Sequence, residues 1–211
     1  QRRARPCARC GTPSLADPRR RPAALWLLVS AALAVGSALV WWADRSLLDW
    51  QPQRAWPEAW RWWSAALVHF TPTHLGANLL ATALVAAYGW AARVPSVVAL
   101  AWVASWPFTH LALLAKPELA HYGGLSGILH AGVAATTLWL VMRGDGAQRT
   151  IGWLMLIGQG VKLLVEEPWG VAIQAPSELD VAVAPLAHAS GSIAGALLTM
   201  LALSLTRRPA A

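Results

Sequence analysis

The sequence predicts an all-α, polytopic membrane protein built as a bundle of six transmembrane helices, and three observations carry that prediction. The 211 residues are 56% hydrophobic and only 13% charged, outside the range of ordinary soluble domains. Six apolar stretches approach the length needed to cross about 30 Å of hydrocarbon as helices. The basic residues then fall into alternate loops, as the positive-inside rule requires of a chain with both termini in the cytoplasm.

Residues 1–22 read as a flexible basic cytoplasmic tail, rich in arginine and interrupted by proline. It holds the only cysteines, Cys7 and Cys10. Four thiolates read as a structural zinc site, but two are half of one, so a metal role needs a second chain or another protein to complete the shell. The other reading is a tail with incidental thiols. The first span, Leu25–Ala43, is full length and lacks a small-residue cleavage site after it, so no separate cleavable signal is expected. A long loop follows from Asp44 to Thr73, rich in Trp and Pro, with an amphipathic stretch from Trp56 to Val68 that suits the membrane interface.

The second and third spans are His74–Ala92 and Ser96–Ala115, and the fourth is Leu125–Met142. The fifth, Thr150–Val165, is the shortest and carries Lys162. Lys162 and Glu166 are four apart on one helix face and read as an ion pair at the membrane edge, structural or in contact with substrate. An acidic loop from Glu166 to Pro185 is suited to cover the outer mouth of the bundle, and the sixth span is Leu186–Leu205. No repeat divides the chain, so residues 23–206 form one domain and 207–211 a short cytoplasmic tail.

The net charge of +7 invites a nucleic-acid reading. Mapped onto this topology, however, Arg93, Arg143, Arg149, Arg207 and Arg208 join the N-terminal arginines on one side, while Arg45, Arg54, Arg61 and Lys116 share the other with most of the acidic residues. The charge therefore reports orientation, and no nucleic-acid partner is expected. Many of the fourteen tryptophans, including Trp26, Trp41, Trp42, Trp60, Trp62, Trp63, Trp90 and Trp169, lie near span ends and fit interfacial anchors against membrane lipids.

The chemistry-bearing pattern is Gly123-Gly124-Leu125-Ser126-Gly127 at the head of the fourth span. Acyl transfer by serine needs a base for the hydroxyl proton and donors for the developing oxyanion. Ser126 stands where unpaired helix N–H groups favour an anion, and Gly124 and Gly127 permit close backbone approach on either side. Small residues also serve helix packing, so the motif alone is weak. His188 strengthens it, because Gly191 and Gly195 on its own face form a groove that Gly127, Ala131 and Ala135 can enter, drawing the imidazole towards Ser126 as general base. His74 and Asn78 share one face of the second span and serve either as oxyanion donors or as an interhelical polar clamp. His69 reads as structural, near the interface. His130, one turn below Ser126, is placed to stack on or bond to His188. No carboxylate lies inside these spans, so the expectation is a Ser–His dyad rather than a triad, without a cofactor.

These residues resemble the rhomboid intramembrane serine proteases. The stretch Trp60-Arg61 through Ser64, His69 and His74-Leu75-Gly76-Ala77-Asn78 is similar to the rhomboid first-loop and second-helix signature. Gly124-Leu125-Ser126-Gly127 matches the nucleophile motif, and Ala187-His188-Ala189-Ser190-Gly191 with Gly195 the last-helix motif, in the same order across residues 25–205. The resemblance implies a six-helix core, Ser126 and His188 as the dyad, and an oxyanion hole from His74, Asn78 and the Ser126 amide, with Leu125, Gly124 and His130 in support. Where many rhomboids have tyrosine this chain has His130, and Gly-Leu-Ser-Gly-x-Leu-His is similar to the rhombosortase branch. That branch implies a bacterial inner-membrane enzyme open to the extracytoplasmic side, whose substrates are secreted proteins with a carboxy-terminal Gly-Gly, an apolar helix and a basic tail. The other classes are an inactive rhomboid relative that binds transmembrane clients, disfavoured by the complete set of dyad and oxyanion residues, and a small transporter with midplane histidines.

Overall fold

The computed structural model describes residues 23–174 and 181–206. These form an all-α fold, with six long helices joined by turns and 3-10 segments. They are α1 (Ala24–Val40), α2 (Pro72–Ala91), α3 (Ser96–Leu111), α4 (Ser126–Arg143), α5 (Gly146–Val165) and α6 (Pro185–Leu205). Residues 1–22, with Cys7 and Cys10, lie outside the described residues, as do 207–211 and the 175–180 part of the acidic loop.

Local chemistry sets the boundaries. Thr71 caps α2 by accepting a hydrogen bond from the His74 amide at 3.1 Å, and Pro72 occupies the first helical position, where its missing N–H costs nothing. Pro185 opens α6 in the same way. The third span divides into an α-helix and a 3-10 turn, Ala112–Ala115, just beyond Pro107. The fifth helix is longer than expected, because its polar first turn, Gly146 to Arg149, continues the helix N-terminal to the apolar stretch. Arg143, in the last turn of α4, donates to the carbonyls of Leu203 (2.7 Å) and Thr206 (3.3 Å), satisfying groups at the end of α6.

By length and apolarity alone, two described segments suffice to cross a membrane, Ser96–Ala115 and Pro185–Leu205, while Ala24–Val40 is apolar but shorter. The other three long helices carry polar side chains that lower their apolarity: His74, Asn78 and Thr82 in α2; Ser126, His130, Thr136 and Thr137 in α4; Gln159 and Lys162 in α5.

At the centre, α4 packs on α6, on α3 and on α5, and α6 also lies along α3, while α1 leans on α2. Glycine makes the closest approach possible. A Cβ on Gly191 would overlap the Gly127 carbonyl, and one on Gly195 the Ala131 carbonyl, so α6 and α4 meet backbone to backbone. Trp26 corrects its assignment to an interfacial ring. It is fully buried, packs against Trp102 with ring centroids 4.2 Å apart and planes tilted by 31°, and donates its indole N–H to the Val85 carbonyl at 3.0 Å. Trp102 donates likewise to Ile128 at 2.8 Å. Gly89 and Gly132 leave room for these two rings. Trp42, Trp60, Trp63, Trp90 and Trp169 are exposed.

In the stretch from Trp56 to Val68, turns lead into the short helix Arg61–Ser64 and a 3-10 turn, Ala65–Leu67. Arg61 points inward and is completely buried. It donates to the Asp49 carboxylate (3.0 Å), to the Asp49 carbonyl (2.6 Å) and to the Ser46 carbonyl (2.9 Å), and pairs with Glu58. Asp49 also meets His121 at 2.6 Å, and Trp50 pairs its backbone with Tyr122 in both directions. The first loop is thereby fastened to the segment leading into Ser126.

Candidate active site

Ser126 is the first residue of α4, where the opening helical amides have no carbonyl one turn back to bind. The glycines before it allow its approach. A Cβ on Gly123 would lie 2.8 Å from the Val68 carbonyl oxygen. Gly124 has φ +134°, and a Cβ there would meet His74 Nε2 at 2.8 Å and Asn78 Nδ2 at 3.6 Å. His74 and Asn78 are both buried, with their nitrogens turned to the backbone that delivers Ser126.

The Gly124 amide donates to the Ala65 carbonyl at 3.1 Å, and its missing side chain gives the close approach expected of it. The Leu125 side chain is wholly buried in the main apolar core and anchors the turn.

Ser126 lines a cleft of about 150 Å³ with His74, Tyr122 and Gly123, together with Phe70 and Thr71 from the first loop and Ile173, Ala182 and Ala184 from the acidic loop. Burial raises the Tyr122 phenol pKa and the neighbouring Ser126 side chain opposes the rise, although the two hydroxyls do not meet in hydrogen-bond geometry. His69 is buried edge-on to His74, with ring centroids 4.9 Å apart, and its Nδ1 donates to the Leu67 carbonyl at 3.0 Å. Burial, assisted by the nearby His74 charge, lowers its pKa to about 4 against a smaller upward pull from that carbonyl.

His130 and His188 stack with ring centroids 4.1 Å apart and planes 15° from parallel, and no hydrogen bond joins His188 to Ser126. His130 Nδ1 donates to the Ser126 carbonyl at 2.7 Å. His188 is buried, and its Nε2 has no hydrogen-bond partner. Its Nδ1 lies 2.8 Å from Glu166 Oε2. The expectation of a histidine without a carboxylate is therefore overturned. Glu166 stands just past the end of α5, 22 residues from His188, and the helix delivers it to the imidazole from outside the spans where a carboxylate was sought. Its pairing with Lys162 is present as expected. Burial raises the Glu166 pKa, but hydrogen bonds from His188 and Lys162 outweigh it and hold the carboxyl at about 2.

Sequence reasoning also missed Gln159, whose amide donates to the His130 carbonyl at 2.9 Å and to Ser192 Oγ at 2.8 Å; Ser192 in turn donates to the His188 carbonyl at 2.8 Å. A polar residue in the middle of an apolar span was the available signal.

His130, Glu166 and His188 also offer ligand atoms within 4.8 Å of one another. Both Nδ1 atoms are already engaged, and stacked parallel rings direct their remaining in-plane lone pairs side by side rather than to one point. The trio fits a hydrogen-bonded relay and not a metal shell. No family model matches the chain, and no curated protein sequence does.

Proposed function

We propose that this chain is a rhomboid-type intramembrane serine endopeptidase of the bacterial inner membrane, with six membrane-crossing helices and both termini in the cytoplasm. The observation that carries the reading is the convergence on one helix start. Ser126 lines a cleft, His74 and Asn78 nitrogens turn to the backbone before it, and His130, bonded to the Ser126 carbonyl, stacks on the buried His188 imidazole, whose Nε2 is free. In the reaction, Ser126 Oγ attacks the scissile carbonyl carbon and His188 Nε2 takes the hydroxyl proton. The oxyanion is met by His74, Asn78 and the Ser126 amide. Collapse expels the amine, which receives the proton from His188, and water or another nucleophile then releases the acyl group.

A helical substrate hides its carbonyls in its own hydrogen bonds and must unwind to enter so narrow a cleft. Glycines unwind readily and add no bulk, which supports the rhombosortase reading: a carboxy-terminal anchor cut beside Gly-Gly near the outer surface. The test is purified protein in micelles with a transmembrane substrate and a serine-directed fluorophosphonate. Wild type should cleave and be labelled, whereas Ser126→Ala and His188→Ala should each lose both properties, with the double variant no worse. Near-normal turnover in either single variant refutes the assignment. Efficient cleavage of a Leu-Leu version of the substrate leaves a protease but removes the rhombosortase reading.

A further inference from the structure

Glu166 divides its carboxylate between two partners. One oxygen pairs with Lys162 a turn earlier on α5, and the other is 2.8 Å from His188 Nδ1 on α6. Its backbone carbonyl accepts the Gln174 side-chain amide at 2.8 Å, and Gln174 pairs its backbone with Val183, so the loop that lines the cleft is anchored on the same residue. An ionised carboxylate only accepts hydrogen bonds. The hydrogen between Glu166 and His188 therefore sits on Nδ1, and only that tautomer leaves Nε2 with a lone pair. Nε2 is the atom that is buried without a partner.

We propose that Glu166 is a positioning residue for the His188 base: it holds the imidazole in the Nδ1-protonated tautomer, turns Nε2 towards Ser126, and stabilises the imidazolium formed when the serine proton is taken. This rests on the protease reading above and makes the site a Ser–His–Glu relay. Lys162 is the counterweight. Its charge draws on the same carboxylate and limits how strongly Glu166 can stabilise positive charge on His188. The other charged or titratable groups facing His188 are His130, stacked on its ring from α4, and His74 from α2, which is electrostatically coupled to it.

Opposite changes at the two ends of this relay must move the acid limb of the turnover profile in opposite directions. Glu166→Gln removes the charge that favours imidazolium, so the limb should shift to lower pH, with kcat falling about 10²- to 10⁴-fold and KM little changed. Glu166→Asp should recover part of the loss. Lys162→Met frees the carboxylate, so its limb should shift to higher pH. A structural staple lost at either end would move neither limb in this paired way. Turnover of Glu166→Gln within twofold of wild type with the limb unmoved overturns the proposal. Should Glu166→Gln not fold, an unmoved limb in Lys162→Met overturns it equally. Fluorophosphonate labelling separates the two levels. Wild type unlabelled at Ser126 removes the protease reading and this proposal together, whereas labelling that needs His188 but not Glu166 removes only the proposal.

Discussion

Replacing Gly124 by alanine tests the geometry that joins fold to chemistry. At φ +134° an alanine is strained wherever its side chain points, and a residue held in such a region costs about 1–3 kcal/mol. Its Cβ would also lie 2.8 Å from His74 Nε2 and 2.9 Å from Cε1, inside any normal contact. Overpacking of that kind costs about 1–3 kcal/mol more, for a total of about 2–6 kcal/mol. The His74 ring cannot yield freely, because His69 is packed edge-on against it and the Thr71 cap holds its backbone. Relief must therefore displace the donor or the Ser126 turn. Denaturant or thermal unfolding in micelles gives the stability; under the proposed protease reading, turnover per folded molecule should also fall about ten- to a thousand-fold, the effect of losing one oxyanion donor. Gly160→Ala is the control, since a Cβ there meets nothing within 4 Å and should gain about 0.5–1 kcal/mol of helix stability. Wild-type turnover and unfolding in Gly124→Ala would refute the placement of His74 against the Ser126 turn.

Other perturbations isolate other parts. His74→Ala and Asn78→Ala should each slow turnover by about ten- to a thousand-fold without abolishing it, because the helix amides remain; unchanged rates in both favour a polar clamp. Arg61→Leu leaves the buried Asp49 carboxylate without its cation and should cost about 3–5 kcal/mol in unfolding experiments, with activity lost as the first loop detaches. His69 titrates at about 4 in the fold, below the ordinary histidine range, so the unfolded chain binds the extra proton first as pH falls. Stability should thus decline from about pH 6.5 down to about 4 by up to about 1.4 kcal/mol per pH unit and then level off, and His69→Gln should flatten that decline in unfolding curves.

What the sequence by itself determined was local or periodic. Apolar runs bounded by Pro72, Pro185 and Gly144 delimit helices to within a few residues, since a helix is built from contacts three and four positions apart. The same spacing set His74 with Asn78 on one face, and Gly191 with Gly195 on another. Tertiary structure alone decided which faces meet. It sent Trp26 into the core rather than the interface, because a neighbouring helix offered both the space at Gly89 and the Val85 carbonyl for its indole. It turned Arg61 inward, because Asp49, twelve residues earlier, returned to neutralise it. Above all it brought Glu166 to His188. The i,i+4 partner Lys162 is visible in the sequence, but the second oxygen of that carboxylate reaches across to another helix, and no local spacing encodes a bond spanning 22 residues.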